Sequence, residues 1–572
     1  MTQKKPDDVI PPLAPGNVRV IPLGGVEEIG RNMTAIEIGD DIIVIDCGFQ
    51  FKEIETPGID YILPNTKYLE DNKDRVRAMF ITHGHLDHIG GLPFIIDRIG
   101  MPPIYTRNLT AIMVKKRQAE FPHIPELDIR IVEKNEKVKV GQVSARIFGV
   151  THTIPDSMGI IIDTPYGGVV VPSDYKLDHL EGVPTKDEEA NYKFFDKEKV
   201  LLMLLDSTNV ENLGFSTPEA YVKENLDTII RDTNTRLIIG TFASQMERLI
   251  GIIHSADSYK KKIVLAGRSM SNNIEIAKQA GILKVKESIF ISPQEQDQYP
   301  KDKIVILATG AQGEEFAALM RMANKTHRFL TIEKNDTVLL SASIIPGNEK
   351  SVERLKDNIA RQDAKIVSYR TSDVYVHSTG HGNRGELEWL HRKIKPKFFI
   401  PIHGNHYRLR SHARLAQEVG IPEENIVVPD NSTIIEVQDN GSKLVRLEQK
   451  APSVTRMVDG LNIGDVQEVV LKDRQALAED GMFVVIALIN TKTGKLKKSP
   501  DIISRGFVYL RESQGLLQET RIIAKKTVED TARNMNPLNF DFIRKQLSDT
   551  LSAYLLQKTH KHPIVIPVLI GV

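Results

Sequence analysis

The stretch Phe80–Gly91, FITHGHLDHIGG, decides the fold of this 572-residue chain. It follows RVRAM, and together with it forms an apolar run that is typical of a buried strand. Within six residues it carries His83, His85, Asp87 and His88, in the pattern His-x-His-x-Asp-His. Functional side chains are often presented at strand ends, so the stretch predicts a metal-binding turn rather than a histidine-rich surface loop.

The ligand types narrow the chemistry of this turn. Imidazole and carboxylate without thiolate suit hydrolytic zinc or manganese. The chain has one cysteine, Cys47, which excludes a thiolate cluster and a disulfide framework and fits a reducing compartment. Because a short turn would wrap four side chains around one ion only with strain, we expect two ions that share them. Two ions about 3.5–4 Å apart can clamp the attacking and leaving oxygens of a phosphodiester.

Two protein ligands do not complete the coordination shell of either ion, so we expect further ligands at the ends of later strands. The candidates are His152 in VTHTIPDS, Asp174 in VVVPSDYKLD and His403 in FFIPIHGNHY. Each follows an apolar β-type run. Taken alone, they could equally be a half-buried histidine, a turn former and a surface loop residue. Beside the His-x-His-x-Asp-His turn, they become the expected completion of the metal site.

The composition of the chain and the character of its first residues limit the classes of protein to which it can belong. Hydrophobic residues make up 41% of the chain, charged residues 26%, and the formal net charge is zero. This is typical of a globular protein, and any positive potential for nucleic acid must be local. The polar, proline-rich start lacks a signal-peptide core, and no apolar run is long enough to cross a bilayer. We therefore expect a cytoplasmic protein without a membrane partner.

The pattern of predicted strands and helices along the chain indicates a first domain that is interrupted by an insertion. Short β-rich runs separated by Gly, Asp and Pro fill residues 17–213, with helices over 89–99 and 108–120, and the same texture returns over 371–450. This favours an αββα sandwich. Strands alternate with helices over 214–370, which predicts an inserted α/β domain with a parallel sheet.

The ends of the chain form separate segments. Residues 1–16 are predicted as a tail, 451–458 as a linker and 459–572 as a small α+β C-terminal domain. In that domain we expect three strands, two helices and a terminal strand. The expected strands lie near 464–472, 482–491 and 504–510, and the helices near 516–535 and 538–557.

Several motifs together resemble one nuclease family. THGHLDHIGG, DSTN, FASQMER, SASIIPGNE, HSTGHGN and PIHGNHYRL are similar to the metallo-β-lactamase-fold nucleases with a β-CASP insertion, and within them to bacterial ribonuclease J. The likeness covers nearly the whole chain, including PDIISRGFVYLRE near the C-terminus. It implies a metallo-β-lactamase sandwich, an inserted β-CASP domain and a small C-terminal domain.

The resemblance implies roles for individual residues. One ion would be held by His83, His85 and His152, the other by Asp87, His88 and His403, with Asp174 bridging. Asp46 in VIDCG would brace the metal-binding histidines. Asp206 in LLDSTN would act as a general acid or orient the metal. His381 in HSTGHG would lie near the scissile phosphate, where Gly380 permits a close approach.

A second set of residues is expected to bind a 5′-monophosphate and the first nucleotides of RNA. Ser244 and Gln245 at a helix start would offer N–H groups and a hydroxyl to a phosphate, although helix capping is a compatible alternative. The predicted RNA- and phosphate-binding residues are Ser244, Gln245, Met246, Arg248, Ser341, Ser343, His377, Ser378, Thr379, Gly380 and His381.

The resemblance implies a ribonuclease that combines 5′-to-3′ exonuclease and endonuclease activity in RNA maturation and decay. Two divalent ions are expected, zinc first, with manganese or magnesium as alternatives. The expected partners are RNA, a second copy or three further copies bound through the C-terminal domain, and other RNA-decay proteins. Alternatives are a catalytically weak scaffold paralogue and a DNA-directed β-CASP nuclease. The seven candidate ligands favour an active enzyme over a scaffold.

Overall fold

The structure is a computed structural model that describes residues 9–51, 56–345, 347–369, 374–460, 462–464, 468–508, 513–533, 535 and 537–572. The chain divides into two compact bodies. The first contains the chain up to Gln50 and Leu63–Thr455, and the second contains Phe51–Ile62 and Arg456–Val572. Each body is described by itself.

The strands of the described chain are numbered in chain order. Up to residue 206 they are β1 Val18–Gly24, β2 Met33–Ile38, β3 Asp41–Ile45, β4 Gln50–Phe51, β5 Tyr61–Leu63, β6 Val76–Phe80, β7 Ile104–Thr106, β8 Ile129–Ile131, β9 Lys137–Val140, β10 Val143–Gly149, β11 Met158–Thr164, β12 Gly167–Ser173, β13 His179–Leu180, β14 Val183–Pro184 and β15 Val200–Asp206. Beyond it they are β16 Leu237–Thr241, β17 Lys262–Ala266, β18 Ile304–Ala308, β19 Thr337–Ser341, β20 Lys365–Ser368, β21 Phe398–Ile402, β22 Thr433–Gln438, β23 Lys443–Lys450, β24 Arg456–Asp459, β25 Asn462–Gly464, β26 Met482–Ile489, β27 Asp501–Arg505 and β28 Ile564–Gly571.

The α-helices are numbered in the same way. They are α1 Lys67–Asp71, α2 Leu86–Ile89, α3 Leu92–Ile95, α4 Asn108–Ala119, α5 Lys186–Tyr192, α6 Glu219–Asp232, α7 Met246–Ser258, α8 Arg268–Gln279, α9 Ala318–Ala323, α10 Glu349–Ala360, α11 Arg384–Ile394, α12 His406–Glu418, α13 Glu468–Glu479, α14 Gln514–Ala532 and α15 Phe540–Thr559.

Two sheets of the first body pack face to face. Among the described residues, one sheet has the strand order β23-β22-β1-β2-β3-β6-β7-β8 and the other β21-β15-β12-β11-β10-β9. Alternate apolar residues of both sheets, such as Ile36, Phe80, Ile160 and Leu202, form a common core. On the outer face of the second sheet, α11 and α12 cover a further apolar cluster. The predicted αββα sandwich is confirmed.

The inserted segment folds around a parallel sheet. Its strand order, within the described residues, is β17-β18-β16-β19-β20, and every pairing is parallel. Apolar clusters fill both faces of this sheet beneath α6, α7 and α8 on one side and α9 and α10 on the other. The predicted parallel α/β insertion is therefore confirmed. The domain boundaries stay predictions, and the one at 370–371 lies outside the described residues.

The second body contains a sheet covered on one face by two long helices. β26 pairs antiparallel with β27 and parallel with β28, and α14 and α15 pack on its buried side chains. The two predicted helices and the terminal strand are confirmed. Of the described chain, strands β25, β24, β5 and β4 form another sheet in that order. None of the helices in the described part of the chain has both the length and the apolar character needed to cross a membrane.

Two predicted elements were wrong. Instead of a strand near 464–472, the described residues have β25 followed by α13, because helix-forming residues from Glu468 to Glu479 outweigh a short valine-rich run. Residues 465–467 and 509–512 lie outside the described chain. Instead of one helix over 89–99 there are two single turns, α2 and α3, separated at Gly90 and Gly91. A Cβ at Gly90 would lie 2.3 Å from the Phe49 ring, so the chain turns there in close contact.

Candidate metal centre

The predicted metal ligands lie at the ends of strands in both sheets of the sandwich. β6 leads into His83 and His85, and α2 directly after it carries Asp87 and His88. The other ligand candidates follow strands of the second sheet: His152 after β10, Asp174 after β12 and His403 after β21. The structure brings all seven side chains together in two overlapping groups, and a third group, formed by Asp174, His403, Asp206 and His381, shares residues with both.

The first ligand group is His83, His85, His152 and Asp174. The Nδ1 atom of His85 lies 3.0 Å from His83 Nε2 and 3.1 Å from His152 Nε2. The Oδ2 atom of Asp174 lies 3.6 Å from His83 Nε2 and 3.7 Å from His152 Nε2. Ligands about 2.0–2.1 Å from a tetrahedral zinc ion are about 3.3–3.4 Å apart. The four atoms therefore have the spacing of one coordination shell.

The protonation of these rings also fits a cation. His152 donates from Nδ1 to the carbonyl oxygen of Gly380 at 2.7 Å, and since a carbonyl only accepts, its Nε2 carries a lone pair. The Nδ1 of His83 has its own partner, Thr82 Oγ1 at 3.1 Å. Burial lowers the pKa of all three imidazoles, that of His152 to about 3. Neutral imidazoles are the metal-binding form, so each of these rings can turn a lone pair towards a cation between them.

The second ligand group is Asp87, His88, His403 and Asp174. Asp87 Oδ2 lies 3.5 Å from His88 Nε2 and 3.3 Å from His403 Nε2. Asp174 Oδ1 lies 3.3 Å from His88 Nε2. Since the other oxygen of Asp174 faces the first group, this carboxylate is shared between the two groups.

Charge is concentrated in the second group. Burial opposes a charge on its two histidines, yet the carboxylates of Asp174, Asp87 and Asp46 raise the pKa of His88 well above its ordinary value. Asp174 and the other nearby carboxylates likewise raise the pKa of His403 to about 10 against the effect of burial. The pKa of Asp87 and that of Asp174 are held well below their usual range by these histidines, although burial alone would raise them. This group requires positive charge, either as protons on the imidazoles or as a bound cation.

Asp46 lies behind both ligand groups. Its Oδ2 is 2.8 Å from His88 Nδ1, which leaves Nε2 of that ring for a metal. Its Oδ1 accepts hydrogen bonds from the backbone N–H of Thr82 at 2.8 Å and from the Thr82 hydroxyl at 3.0 Å. Because Thr82 contacts His83, one carboxylate orients a ring in each group.

Asp206 and His381 form a hydrogen-bonded pair beside the shared carboxylate. His381 Nδ1 lies 2.7 Å from Asp206 Oδ2, and the other oxygen of Asp206 accepts the backbone N–H of Thr208 at 2.8 Å. His381 Nε2 is 3.9 Å from Asp174 Oδ2, and 20% of its side chain is exposed. Burial opposes it, but Asp206 and Asp174 raise the pKa of His381. The ring can therefore hold or donate a proton at Nε2, next to both ligand groups.

The structure places the predicted phosphate-binding residue Arg248 in a buried network. Its guanidinium forms an ion pair with Glu219 at 2.9 Å, contacts His377 Nδ1 at 2.8 Å and donates to the carbonyl of Ser378 at 3.2 Å. It also donates to the side chain of Gln245. Arg248, itself contacted by Gln245, thus holds the loop that leads to His381.

The other predicted phosphate-binding residues divide by exposure. Met246 is fully buried in the apolar core of the insertion, and the buried hydroxyl of Ser341 donates to Val376 O at 2.6 Å. Ser343 and Thr379 are half-buried, and Ser244 is exposed. These last three hydroxyls are more accessible than those of the buried serines.

Two contacts of the centre were missed by sequence reasoning. Lys176, two residues after Asp174, is buried and donates from Nζ to Ser378 Oγ at 2.6 Å. Asn32, in the turn between β1 and β2, places its amide nitrogen 3.1 Å from His88 Nε2. Neither carries a sequence signal, since both contacts join residues far apart in the chain.

Three strands end at the centre on a left-handed residue that is not glycine. Asp46 has φ 61°, Ser173 has φ 63° and His403 has φ 53°. Each follows or ends an apolar strand, and the turn places its own side chain, or that of the next residue, in the metal centre. Such backbone is uncommon for residues with a Cβ and concentrates at functional sites.

Comparison with family models divides the chain into matched regions. Residues 26–208 match the metallo-beta-lactamase superfamily, and residues 372–429 match the Zn-dependent metallo-hydrolase RNA specificity domain. Residues 234–359 match the ribonuclease J beta-CASP domain, and residues 469–572 match the ribonuclease J C-terminal domain.

The chain is similar over its length to curated proteins. It is 33% identical to ribonuclease J2 of Bacillus subtilis over 97% of this chain and 99% of that protein. It is 35% identical to ribonuclease J 1 of Streptococcus pyogenes serotype M3, over 98% of each. It is 35% identical to ribonuclease J of Corynebacterium glutamicum, over all of this chain and 78% of that protein.

Among solved structures, a protein of unknown function from Enterococcus faecalis V583 has a similar fold. The TM-score is 0.51 at 17% identity, and the match covers 73% of this chain and all of that one.

Proposed function

Because this chain belongs to the ribonuclease J family and is a metal-dependent ribonuclease, we propose that it hydrolyses RNA with two divalent ions, zinc first among them. The proposal includes 5′-to-3′ exonuclease action with a preference for a 5′-monophosphate, together with endonuclease action, in cytoplasmic RNA maturation and decay. The observation that carries it is the pair of ligand groups that share Asp174.

The residues of each group fit an ion of this kind. His83, His85 and His152 would hold one ion, and Asp87, His88 and His403 the other, with one oxygen of Asp174 for each. When bound, such ions lower the pKa of water and neutralise charge that develops on the phosphate. The absence of thiolate from both groups is compatible with zinc and with manganese.

The side chains of this protein then supply orientation and proton transfer. Asp46 orients the rings of His88 and, through Thr82, His83. The leaving 3′-oxygen of a cleaved phosphodiester needs a proton, and His381 can donate one from Nε2. Asp206 holds His381 at 2.7 Å and keeps its Nδ1 protonated, so the pair is suited to general acid catalysis.

A cavity of about 640 Å³ lies beside the first ligand group. Its lining combines His152, Lys176 and Arg248 with the acidic residues Asp156, Asp178, Glu219 and Glu247, and neither Ser244 nor Ser343 is part of it. The loop that carries Ser378 and Thr379 is held next to it by Lys176 and Arg248. The 5′-phosphate is therefore proposed to bind at the more accessible hydroxyls of Ser244, Ser343 and Thr379 rather than in this cavity, whose acidic residues would repel it.

RNA with a 5′-monophosphate should be degraded faster than the same RNA with a 5′-triphosphate. The preference should fall at least about tenfold in the Ser244→Ala/Ser343→Ala variant, because each hydrogen bond to a charged group contributes about 1.5–3 kcal/mol. Rates would be measured on 3′-labelled RNA of both types. Ser258→Ala is the matched control, since that hydroxyl donates to His254 O at the far end of α7. Equal rates for the two RNAs with the unaltered enzyme would contradict the pocket.

The intact ligand set favours this proposal over the alternative of a catalytically weak scaffold. A weak scaffold paralogue has no need to retain seven ligands, two bracing contacts and the Asp206–His381 pair. A gel assay with 5′-labelled and 3′-labelled RNA, and DNA of the same sequence, would distinguish exonuclease, endonuclease and DNA-directed action.

We further propose that the protein self-associates through its C-terminal domain, as a dimer or a tetramer. The support is one face of the β27-β26-β28 sheet. Phe483, Val485, Val565 and Leu569 point to the helices and are buried. The alternate residues on β28, namely Ile566, Val568 and Ile570, are apolar and about two-fifths exposed, at 41%, 37% and 44%. An exposed apolar face of this kind is typical of a protein interface, and a second copy would cover it symmetrically.

The Val568→Glu variant should therefore shift the protein to a smaller species, because a buried unpaired charge in an interface is strongly unfavourable. Light scattering after size-exclusion chromatography would give the mass. Ile522→Glu is the control, since Ile522 is an exposed apolar residue of α14 in the same domain. An unchanged mass for Val568→Glu, or a monomeric parent protein, would refute the proposed interface.

A further inference from the structure

Asn32 contacts the second ligand group from a different part of the chain. It is buried, and its side-chain Nδ2 lies 3.2 Å from the backbone oxygen of Asp87, 3.3 Å from Asp87 Oδ2 and 3.1 Å from His88 Nε2. Its backbone N–H also donates to Asp87 O at 2.9 Å. Four contacts therefore join this residue to the two ligands carried by α2.

The hydrogen-bonding capacity of an amide explains this arrangement. The two N–H bonds of Nδ2 can be donated to the carbonyl oxygen and the carboxylate of Asp87 at the same time. Asp87 needs such support more than its neighbours, since 29% of its side chain is exposed against 2% for His88 and His403. Its helix α2 is a single turn that gives little rigidity of its own. The amide fixes the direction in which the carboxylate points.

The same turn of the chain also holds the other ligand of this group. The backbone N–H of His403 donates to Gly25 O at 2.6 Å, and Gly25 packs against the amide oxygen of Asn32. A Cβ at Gly25 would lie 2.3 Å from that oxygen, and Gly25 has φ 83°. The turn Gly25–Asn32 thus contacts two ligands of the second group, Asp87 through Asn32 and His403 through Gly25.

We propose that Asn32 is a positioning residue that sets the affinity of the second metal ion through Asp87. The inference rests on the proposed two-ion function and adds a residue that determines how the second group is assembled. Within the described part of the chain, the side chain of Asn32 contacts Asp87 and His88 and forms no hydrogen bond to His83, His85 or His152, so the first ion should be insensitive to this residue.

The test is metal binding by the full-length protein. Metal-free protein would be titrated with Zn²⁺ and with Mn²⁺ by calorimetry, and retained metal would be counted after dialysis. Asn32→Ala should keep the first ion at unchanged affinity and bind the second about 10–100-fold more weakly, the usual effect of losing a partner of a ligand. In the Mn²⁺ form, the spin-coupled signal of a paired centre should weaken in parallel.

Asn65→Ala is the matched control. Asn65 is a buried asparagine whose amide also donates to a backbone carbonyl, Val454 O at 2.7 Å, away from either ligand group. Thermal unfolding of the metal-free variants measures any purely structural effect, and we expect only Asn32→Ala to weaken the second ion.

Three outcomes would overturn the inference. The first is wild-type affinity for both ions in Asn32→Ala. The second is an equal loss of affinity in Asn65→Ala. The third is a gain in second-ion affinity in Asn32→Asp, since a donor replaced by a carboxylate should weaken binding unless residue 32 coordinates the metal directly. If the unaltered protein bound a single ion or left RNA intact, the proposed function itself would fail. If the unaltered protein bound two ions and cleaved RNA, the outcomes above would overturn only the role of Asn32.

Discussion

The Asp174→Asn variant is expected to lose RNA hydrolysis almost completely. Asp174 is the one carboxylate shared by both ligand groups, with Oδ2 3.6 Å from His83 Nε2 and Oδ1 3.3 Å from His88 Nε2. The amide keeps the shape of the side chain but removes its charge and one acceptor oxygen. The affinity of the protein for both ions should fall together. Several kcal/mol of the transition-state stabilisation that the ions supply should be lost, which corresponds to a decrease of about 10⁴-fold in kcat/KM.

Initial rates on 5′-labelled RNA and the metal content of the purified variant would check this result. Asp163→Asn is a suitable control, because Asp163 lies on β11 of the same sheet and pairs with Arg146 at 2.8 Å, away from the ligands. Far-ultraviolet circular dichroism would establish that both variants fold. Retention of more than a tenth of the activity with two bound ions would contradict a shared role for Asp174.

The His381→Ala variant is expected to lose about 10²–10⁴-fold in kcat, the usual contribution of a positioned general acid or base. Its metal content should be unchanged, because His381 lies 3.9 Å from the shared carboxylate and is braced by Asp206 instead. Single-turnover cleavage of RNA would separate the chemical step from RNA binding. His254→Ala, on the exposed side of α7, is the control histidine.

A change of leaving group distinguishes acid catalysis from phosphate binding. A nitrophenyl phosphodiester needs no proton on its leaving oxygen, so the defect of His381→Ala should shrink on that substrate. The defect of Asp174→Asn should persist, since the ions act on the phosphate itself. An equal defect of His381→Ala on both substrates would show that the ring binds the phosphate rather than protonating the leaving group.

The parts of the centre that could be predicted are those encoded locally. His83, His85, Asp87 and His88 are close neighbours in the chain, and His152, Asp174 and His403 stand at the ends of apolar strands. Asn32 could not be predicted in this way, because its contact with Asp87 spans 55 residues of sequence and depends on how two turns meet.

Arg248 shows a different limit of sequence reasoning. A positive charge near a helix start predicts a phosphate contact, and this stays a prediction, whereas the ion pair with Glu219 and the contact with the Ser378 carbonyl could not be predicted from the sequence. In the fold itself, the valine-rich run that begins α13 favours a strand, but the helix-forming residues that follow it in the same segment outweigh that preference. Local pattern identifies strand ends and ligand types, whereas the partners of a buried charge depend on tertiary packing.

The left-handed residues at the strand ends couple the thermal stability of the folded protein to its catalytic rate. Asp46, Ser173 and His403 each hold a backbone that disfavours a side chain by about 1–2 kcal/mol relative to ordinary geometry, and this strain is confined to the folded protein. Glycine would relieve it, at a smaller entropic cost in the unfolded chain. At Asp46 and His403, glycine would therefore raise the stability of the fold but remove a side chain of the metal centre, so thermal stability and turnover oppose each other at these two positions.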